Sequence, residues 1–258
     1  ILDDCIKKTS ISKDKLDGEI YYYNNIPVSL TDLFPKFITT CDNGYIMEKI
    51  NGIPLSRLFV KETLDSSLMT KLLNTINLIH SSDTNDNTIC VNIYESYSNK
   101  IKKRYSEYDY SIFENSENMY NELINYFEDY ETNNKGIAGV IHGDPVFSNI
   151  ILDRSDNFKF IDMMGRINDE NTIFGDIFYD YSKIYQSING YDEILLNECV
   201  SNNYRCLLIK QFHTFIIDKY GIVYLKHIKM ITKSLLFTLI PLHNNENIYK
   251  FYALISNI

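Results

Sequence analysis

Apolar and polar residues follow four successive patterns along the chain, and each change of pattern marks a change of element. Over residues 1–62, short apolar runs of strand length surround one longer segment. Asp4–Lys8 reads as the end of a strand. Lys13–Asn24 reads as a helix, stopped by Pro27, whose ring fixes φ and removes an amide donor. Phe34–Thr39 and Tyr45–Ile50 read as strands about a turn at Asp42-Asn43-Gly44, after which Gly52 and Pro54 punctuate the chain.

Residues 63–134 are helical in pattern. Leu68, Leu72, Leu73, Ile76, Ile79 and His80 recur at helical spacing, Ser81–Asn87 is a polar loop, and further helices are predicted over Tyr97–Tyr108 and Met119–Tyr130. The third stretch, residues 135–190, opens with a short apolar run, Ala138–His142, that passes directly into a polar loop. Two strand-like segments follow, Asn149–Asp153 and Phe158–Asp162, around a turn at Ser155-Asp156-Asn157. Residues 191–258 return to amphipathic helices, broken mainly at Pro241. The pattern predicts an α+β protein: a small mixed lobe over 1–52, then a larger helical lobe over 53–258 into which a β-hairpin is inserted.

Composition narrows the class. Hydrophobic residues make up 45% of 258 positions, enough for a sizeable core. The five cysteines are dispersed and form no C-x-x-C pair, so neither zinc nor disulfide frameworks are supported, and a reducing compartment is expected. The net charge of −9 argues against nucleic acid as the main partner. One basic cluster, Lys100, Lys102, Lys103 and Arg104, reads as a solvated helix face, part of which an anionic small substrate such as a sugar phosphate could use. No apolar run has the length of a membrane span and no signal-peptide pattern is present, so a cytoplasmic protein is expected. The start, Ile-Leu-Asp-Asp, predicts a trimmed chain or one domain of a longer protein fused to others.

The chemistry concentrates in residues 140–166. Apolar strands flank a short loop bearing His142, Asp144 and Asn149, and a second strand ends on Asp162 before Met163-Met164-Gly165-Arg166. Polar groups at the ends of buried strands are held firmly and still reach solvent. Asp144 and Asn149 stand at the two ends of one loop, and Asp162 arrives from the adjoining strand; together they make a hard-oxygen site suited to Mg²⁺. Phosphoryl transfer requires these parts: a base for the attacking hydroxyl, an Asn and an Asp for the metal, and a Lys on the phosphates positioned by a Glu. Asp144 is the candidate base, and Asn149 and Asp162 are the candidate metal ligands. Lys7 and Lys8 lie on a strand that precedes the helix bearing Glu19, which is the order an ion pair of this kind needs. Alternation places Lys7 with Cys5 and Lys8 with Ile6. Ile6 is the better apolar cover for a nucleobase, which tilts the choice slightly to Lys8 and leaves Lys7 open. His142 is expected to brace the loop. Asp180, just before a helical run, reads as an N-cap. Asp176 is open between a cap and a substrate contact.

His142-Gly143-Asp144, then four residues and Asn149, resembles the catalytic loop of the aminoglycoside phosphotransferase and choline kinase families, whose fold is protein-kinase-like. Ile161-Asp162 with Gly165-Arg166 is similar to their metal-binding segment, and Tyr179-Asp180-Tyr181-Ser182-Lys183-Ile184 to the helix start that follows it. Tyr45–Gly52 looks like their inter-lobe hinge. The resemblance implies a two-lobe, protein-kinase-like α+β fold with a truncated small N-terminal lobe and a larger helical C-terminal lobe carrying the catalytic β-hairpin. It places Met47 behind the adenine, the backbone of Glu48 and Ile50 on its edge, and Asp180 as a tie between helix and catalytic loop. It implies ATP and Mg²⁺ as cofactors and a small-molecule hydroxyl as acceptor: a sugar, an amino alcohol or a glycan precursor. The phrases around His142–Asn149 and Gly175–Asp192 are closest to phosphotransferase domains linked to sugar-nucleotide and capsule biosynthesis. No glycine-rich phosphate loop precedes Lys7, and the metal segment reads Asp-Met-Met-Gly. The missing loop motivates an alternative, a nucleotide-binding pseudokinase or regulatory domain of a larger protein. A protein kinase ranks last, because no Ala-Pro-Glu-like anchor follows Asp162.

Overall fold

The computed structural model describes residues 4–82, 91–243 and 246–258. The polar loop expected at Ser81–Asn87 falls, from residue 83 on, outside the described residues.

The small lobe is a three-stranded antiparallel sheet in the order β1 (Cys5–Thr9), β3 (Gly44–Glu48), β2 (Phe37–Cys41), with helix α1 (Lys13–Asn25) packed on it. Ser12 caps α1 by accepting from the Lys15 N–H at 3.3 Å. The register pairs Lys8 with Tyr45 and Ile6 with Met47 across β1 and β3. Leu16 of α1 meets Tyr45 and Met47 in a small apolar core. The strand expected from Phe34 starts only at Phe37: residues 28–33 form a 3-10 turn, and Pro35 offers no N–H to a ladder.

The chain then enters the large lobe through β4 (Gly52–Pro54), α2 (Leu55–Val60), α3 (Ser66–His80), α4 (Ser98–Glu107) and α5 (Ser116–Thr132). Short strands follow: β5 (Ala138–Val140), the hairpin β6 (Ile150–Asp153) and β7 (Phe158–Phe160), then β8 (Arg166–Ile167), β9 (Glu170–Asn171) and β10 (Phe174–Asp176). β4 adds to the hairpin as β4-β6-β7, so the segment leaving the small lobe is stitched to the strands that carry the loop at 142–149. The remainder is helical: α6 (Ile177–Ile188), α7 (Tyr191–Leu196), α8 (Asn202–Tyr220), α9 (Ile222–Leu239) and α10 (Asn247–Ile255). The main core runs through α3, α6 and α9, where Leu72, Ile76, Tyr181, Ile184, Ile228 and Leu236 are fully excluded from solvent. Asp176 is buried as the N-cap of α6, accepting from Phe178 N–H, Tyr97 Oη and Tyr130 Oη, which settles it as a cap. The tyrosines at 105 and 110 stack with Tyr120 and Phe237 as packing residues. No helix among the described residues is long and apolar enough to cross a membrane.

Candidate functional site

The loop from His142 to Asn149 is fixed from beneath by α6. Asp180, fully buried, accepts the His142 N–H on one carboxylate oxygen and the Gly143 N–H on the other, each at 2.8 Å. Nε2 of His80, on α3, lies 3.1 Å from the same carboxylate. His142 is buried against Phe34 and Phe160, and its Nδ1 accepts the Asp144 N–H at 3.1 Å. Burial holds its imidazole below the ordinary pKa, so the ring is neutral with its proton on Nε2. His142 and Asp180 thus set the path of the loop.

That path points Asp144 into a cleft of about 390 Å³, which Gly143, Asp162, Met164, Tyr179 and Lys183 also line. The Asn149 side-chain N–H₂ donates to the Asp144 carbonyl at 2.9 Å and to its Oδ2 at 3.1 Å. Lys183 of α6 sits 2.9 Å from Oδ1. Burial opposes the Asp144 charge, but Lys183 outweighs it, with help from Lys100, and holds the carboxyl below the usual carboxylate range. Burial likewise opposes the charge on Lys183, and Asp144 and Tyr179 reverse the effect and raise its pKa.

Asp162 follows β7 in the left-handed region, φ 63°, which Asp tolerates better than most residues. Its Oδ1 lies 2.5 Å from Lys8 Nζ, and Lys8 Nζ lies 2.7 Å from Glu19 Oε2. Glu19 is fully buried and also accepts from Tyr45 Oη at 2.7 Å. Lys15, one turn earlier on α1, lies 3.9 Å from both carboxylates. The structure thus brings Lys8, Glu19 and Asp162 together and leaves Lys7 out: one residue earlier on the strand, Lys7 is exposed and forms no ion pair with a described residue.

Met47 is buried at the back of the small sheet, with its sulfur 3.6 Å from Tyr23 Oη. The Glu48 N–H is committed to the Lys36 carbonyl at 2.9 Å, whereas the Ile50 backbone is bonded to no described residue. Asn149 spends its amide nitrogen on Asp144, so its Oδ1 stands beside Asp144 as a hard oxygen with no partner among the described residues. Asn149 Oδ1 and the Asp162 carboxylate fit Mg²⁺ by donor chemistry. No three His, Cys, Asp or Glu side chains gather as a self-sufficient metal site among the described residues, so an ion here would draw its remaining oxygens from phosphates and water.

Sequence reasoning missed Lys183, Tyr179, Lys15, Tyr45 and His80. Two signals existed. Lys183 stands three positions after Asp180 and four after Tyr179, hence on the helix face that meets the loop; Tyr45 stands opposite Lys8 once the β1–β3 register is known. His80, counted only in the helical spacing of α3, braces Asp180.

No protein-family model matches the chain, and no curated protein matches it in sequence. Solved structures match it over nearly its whole length. The choline kinase LicA from Streptococcus pneumoniae superposes with a TM-score of 0.61 at 15% identity, over 99% of this chain and 86% of that one. The chain carries the protein-kinase-like fold of choline kinases and aminoglycoside phosphotransferases. A thermostable mutant of aminoglycoside phosphotransferase APH(4)-Ia gives a TM-score of 0.67 at 10% identity, over 100% and 87% of the two chains. The aminoglycoside phosphotransferase APH(3'')-Id from Streptomyces rimosus, in complex with ADP and streptomycin, gives 0.56 at 13% identity, over 89% and 87%.

Proposed function

We propose that this protein is a small-molecule kinase that transfers the γ-phosphoryl group of ATP, with Mg²⁺, to an acceptor hydroxyl. The observation that carries this reading is that Asp144 and Asp162 line one cleft while Asn149 is bonded to the first and the Lys8–Glu19 pair to the second, from elements far apart in sequence. The likeness to structures of choline kinase, of ethanolamine kinase and of a phosphotransferase holding ADP and streptomycin supports it.

In this reading the adenine meets the Glu48 carbonyl and the Ile50 backbone, with Met47 behind it. Lys8, oriented by Glu19, takes the phosphates. Asn149 Oδ1 and Asp162 hold Mg²⁺, which when bound offsets the charge of the phosphate oxygens. Asp144, oriented by Asn149, accepts the proton of the acceptor hydroxyl. The acceptor oxygen bonds to the γ-phosphorus, the bond from that phosphorus to the β,γ-bridging oxygen breaks, and ADP leaves. Lys183 then shares its charge between Asp144 and the transferring group. The pseudokinase alternative is not favoured, because Asp144 and Asp162 line the cleft and Lys8, Glu19 and Asn149 are joined to them. The acceptor belongs to the sugars, amino alcohols or glycan precursors. The test is Mg²⁺-dependent ADP release across a panel of such hydroxyl compounds. Acceptor-dependent turnover is expected; ATP that binds yet never turns over with any acceptor would favour the pseudokinase.

A further inference from the structure

The acceptor side of the cleft is built on cations. Lys100 on α4 and Lys183 on α6 converge on Tyr179, with their Nζ atoms 5.9 and 5.7 Å from its ring centroid. Lys100 also donates to the Tyr179 hydroxyl at 3.3 Å. Arg166 and Lys15 line the same cleft.

The carboxylates nearby are committed. Asp144 pairs with Lys183, Asp162 with Lys8, and Asp14 with Arg166 at 3.7 Å. Glu95, which approaches through Asn168, accepts from the amides of Asn92, Asn99 and Asn168. Asp169 is fully exposed and faces Arg166. Lys100, by contrast, has no carboxylate within 4.0 Å among the described residues, although its neighbours Lys102 and Arg104 on the same helix are each paired with a glutamate. Its amine is turned inward to Tyr179 instead.

A cationic acceptor such as choline or an aminoglycoside would find here, among the described residues, no carboxylate that lacks an ion-pair or hydrogen-bond partner. The aromatic face of Tyr179 already carries two ammonium groups of the protein, which removes it as a cation platform. The two lysines also pull the Tyr179 hydroxyl below the ordinary phenol range against the effect of burial, a sign of surplus positive potential.

We propose that the acceptor carries an anionic group, phosphate or carboxylate, close to the hydroxyl that is phosphorylated, and that Lys100 and Lys183 recognise it beside Tyr179. This rests on the kinase reading for the word acceptor, but the binding site stands on its own geometry. An incoming anion takes the amine of Lys100 from the Tyr179 hydroxyl and shares Lys183 with Asp144. That brings the substrate hydroxyl beside Asp144 and leaves the base ionised.

The test is equilibrium binding of ribose 5-phosphate, glycerol 3-phosphate, glucuronate and glycerate against choline, kanamycin and glucose, by calorimetry. Each titration is run with and without a non-hydrolysable ATP analogue and Mg²⁺. At least one anion is expected to bind where choline, kanamycin and glucose do not. The phosphate and the carboxylate arms then separate the two sources of negative charge. Lys100→Met should weaken that anion at least tenfold, Lys100→Arg should restore much of the loss, and Lys102→Ala should change nothing. Binding of choline or kanamycin in preference to every anion would overturn the inference, as would the failure of all four anions. A Lys100→Met variant that loses the ATP analogue as strongly as the anion would overturn it too, by assigning Lys100 to the γ-phosphate. The kinase reading fails separately, if the ATP analogue does not bind to the wild type.

Discussion

Gly18 on α1 and Gly165 after Asp162 pack backbone to backbone: a Cβ on Gly165 would lie 1.9 Å from the Gly18 carbonyl oxygen. A Cβ on Gly18 would in turn lie 2.7 Å from the Met164 carbonyl oxygen. Two glycines therefore let α1 approach the metal segment closely enough for Glu19 and Asp162 to share Lys8. Gly165 also has φ 59°, where a side chain is strained by ~1–2 kcal/mol. Gly165→Ala should lose more than that in stability, since the helix must also move. ATP affinity should fall with it, because Lys8 loses its alignment. Thermal unfolding with nucleotide titration checks this; an unchanged affinity would separate the helix approach from the site.

Asp144→Asn keeps the shape of the base and its contact with Asn149 but cannot take the hydroxyl proton. Turnover should drop by ~10²–10⁴-fold while nucleotide affinity stays near that of the wild type. Steady-state ADP release and a parallel ATP titration are the measurements. Near-normal turnover on the true acceptor would remove Asp144 from the role of base.

Lys183→Met tests the electrostatics of that base. In the folded protein the Asp144 carboxyl is depressed, so it is ionised down to acid pH, and the acid limb of kcat/KM should lie below the ordinary carboxylate value. Without Lys183, burial remains and its main opposing charge is gone. The acid limb should therefore move upward in pH, in addition to any fall in the plateau. A limb that stays in place would mean that Lys183 does not tune Asp144.

Asp162→Ala should weaken Mg·ATP binding much more than binding of metal-free ATP. Asn149 and Asp162 cannot fill an octahedral shell, and Mg²⁺ gives up water reluctantly, so the ion and the phosphates bind together. Metal-free ATP would keep its contacts at the hinge and with Lys8. Calorimetric titration with and without Mg²⁺ decides: equal losses would make Asp162 a support of the fold alone. Tight Mg²⁺ binding without nucleotide would also count against this assignment.

Asp192 on α7 is fully buried, and burial pushes its carboxyl up to about 6 from 3.8. Between these values the unfolded chain ionises first while the folded chain keeps its proton. Stability tied to this group is therefore fully present below pH 3.8 and is lost as pH rises through about 6. The difference is on the order of 3 kcal/mol at neutral pH. Relative to the wild type, Asp192→Asn should be more stable at pH 7.5 than at pH 4, as read by urea unfolding at both. The same difference at both pH values would show that Asp192 does not titrate in this window.

The loop and hairpin were legible in the sequence because their parts are close along the chain. His142, Asp144 and Asn149 sit within one loop, and Asp162 ends the adjoining strand, so local backbone geometry alone brings them near one another. The helix bearing Glu19 was legible from its length and its stop at Pro27. The strand at Phe34 was misplaced because Pro35 and the 3-10 turn before it end the regular pattern that alternation assumes.

The sequence by itself determined the order of the elements and the residue types of the cleft. Only the tertiary structure decided which of two adjacent lysines enters it. Lys8 and Asp162 are 154 positions apart, and their meeting depends on the β1–β3 register and on the glycine contact between α1 and the metal segment. A one-residue change of register would turn Lys7 inward and Lys8 out. The cations of the acceptor side arose in the same way. Lys100 is indistinguishable in sequence from Lys102 and Lys103, and only the packing of α4 against α5 and α9 turns its amine to Tyr179. Helical and strand periodicities fix which face a residue occupies, but which distant face it meets is set by the burial of the whole core.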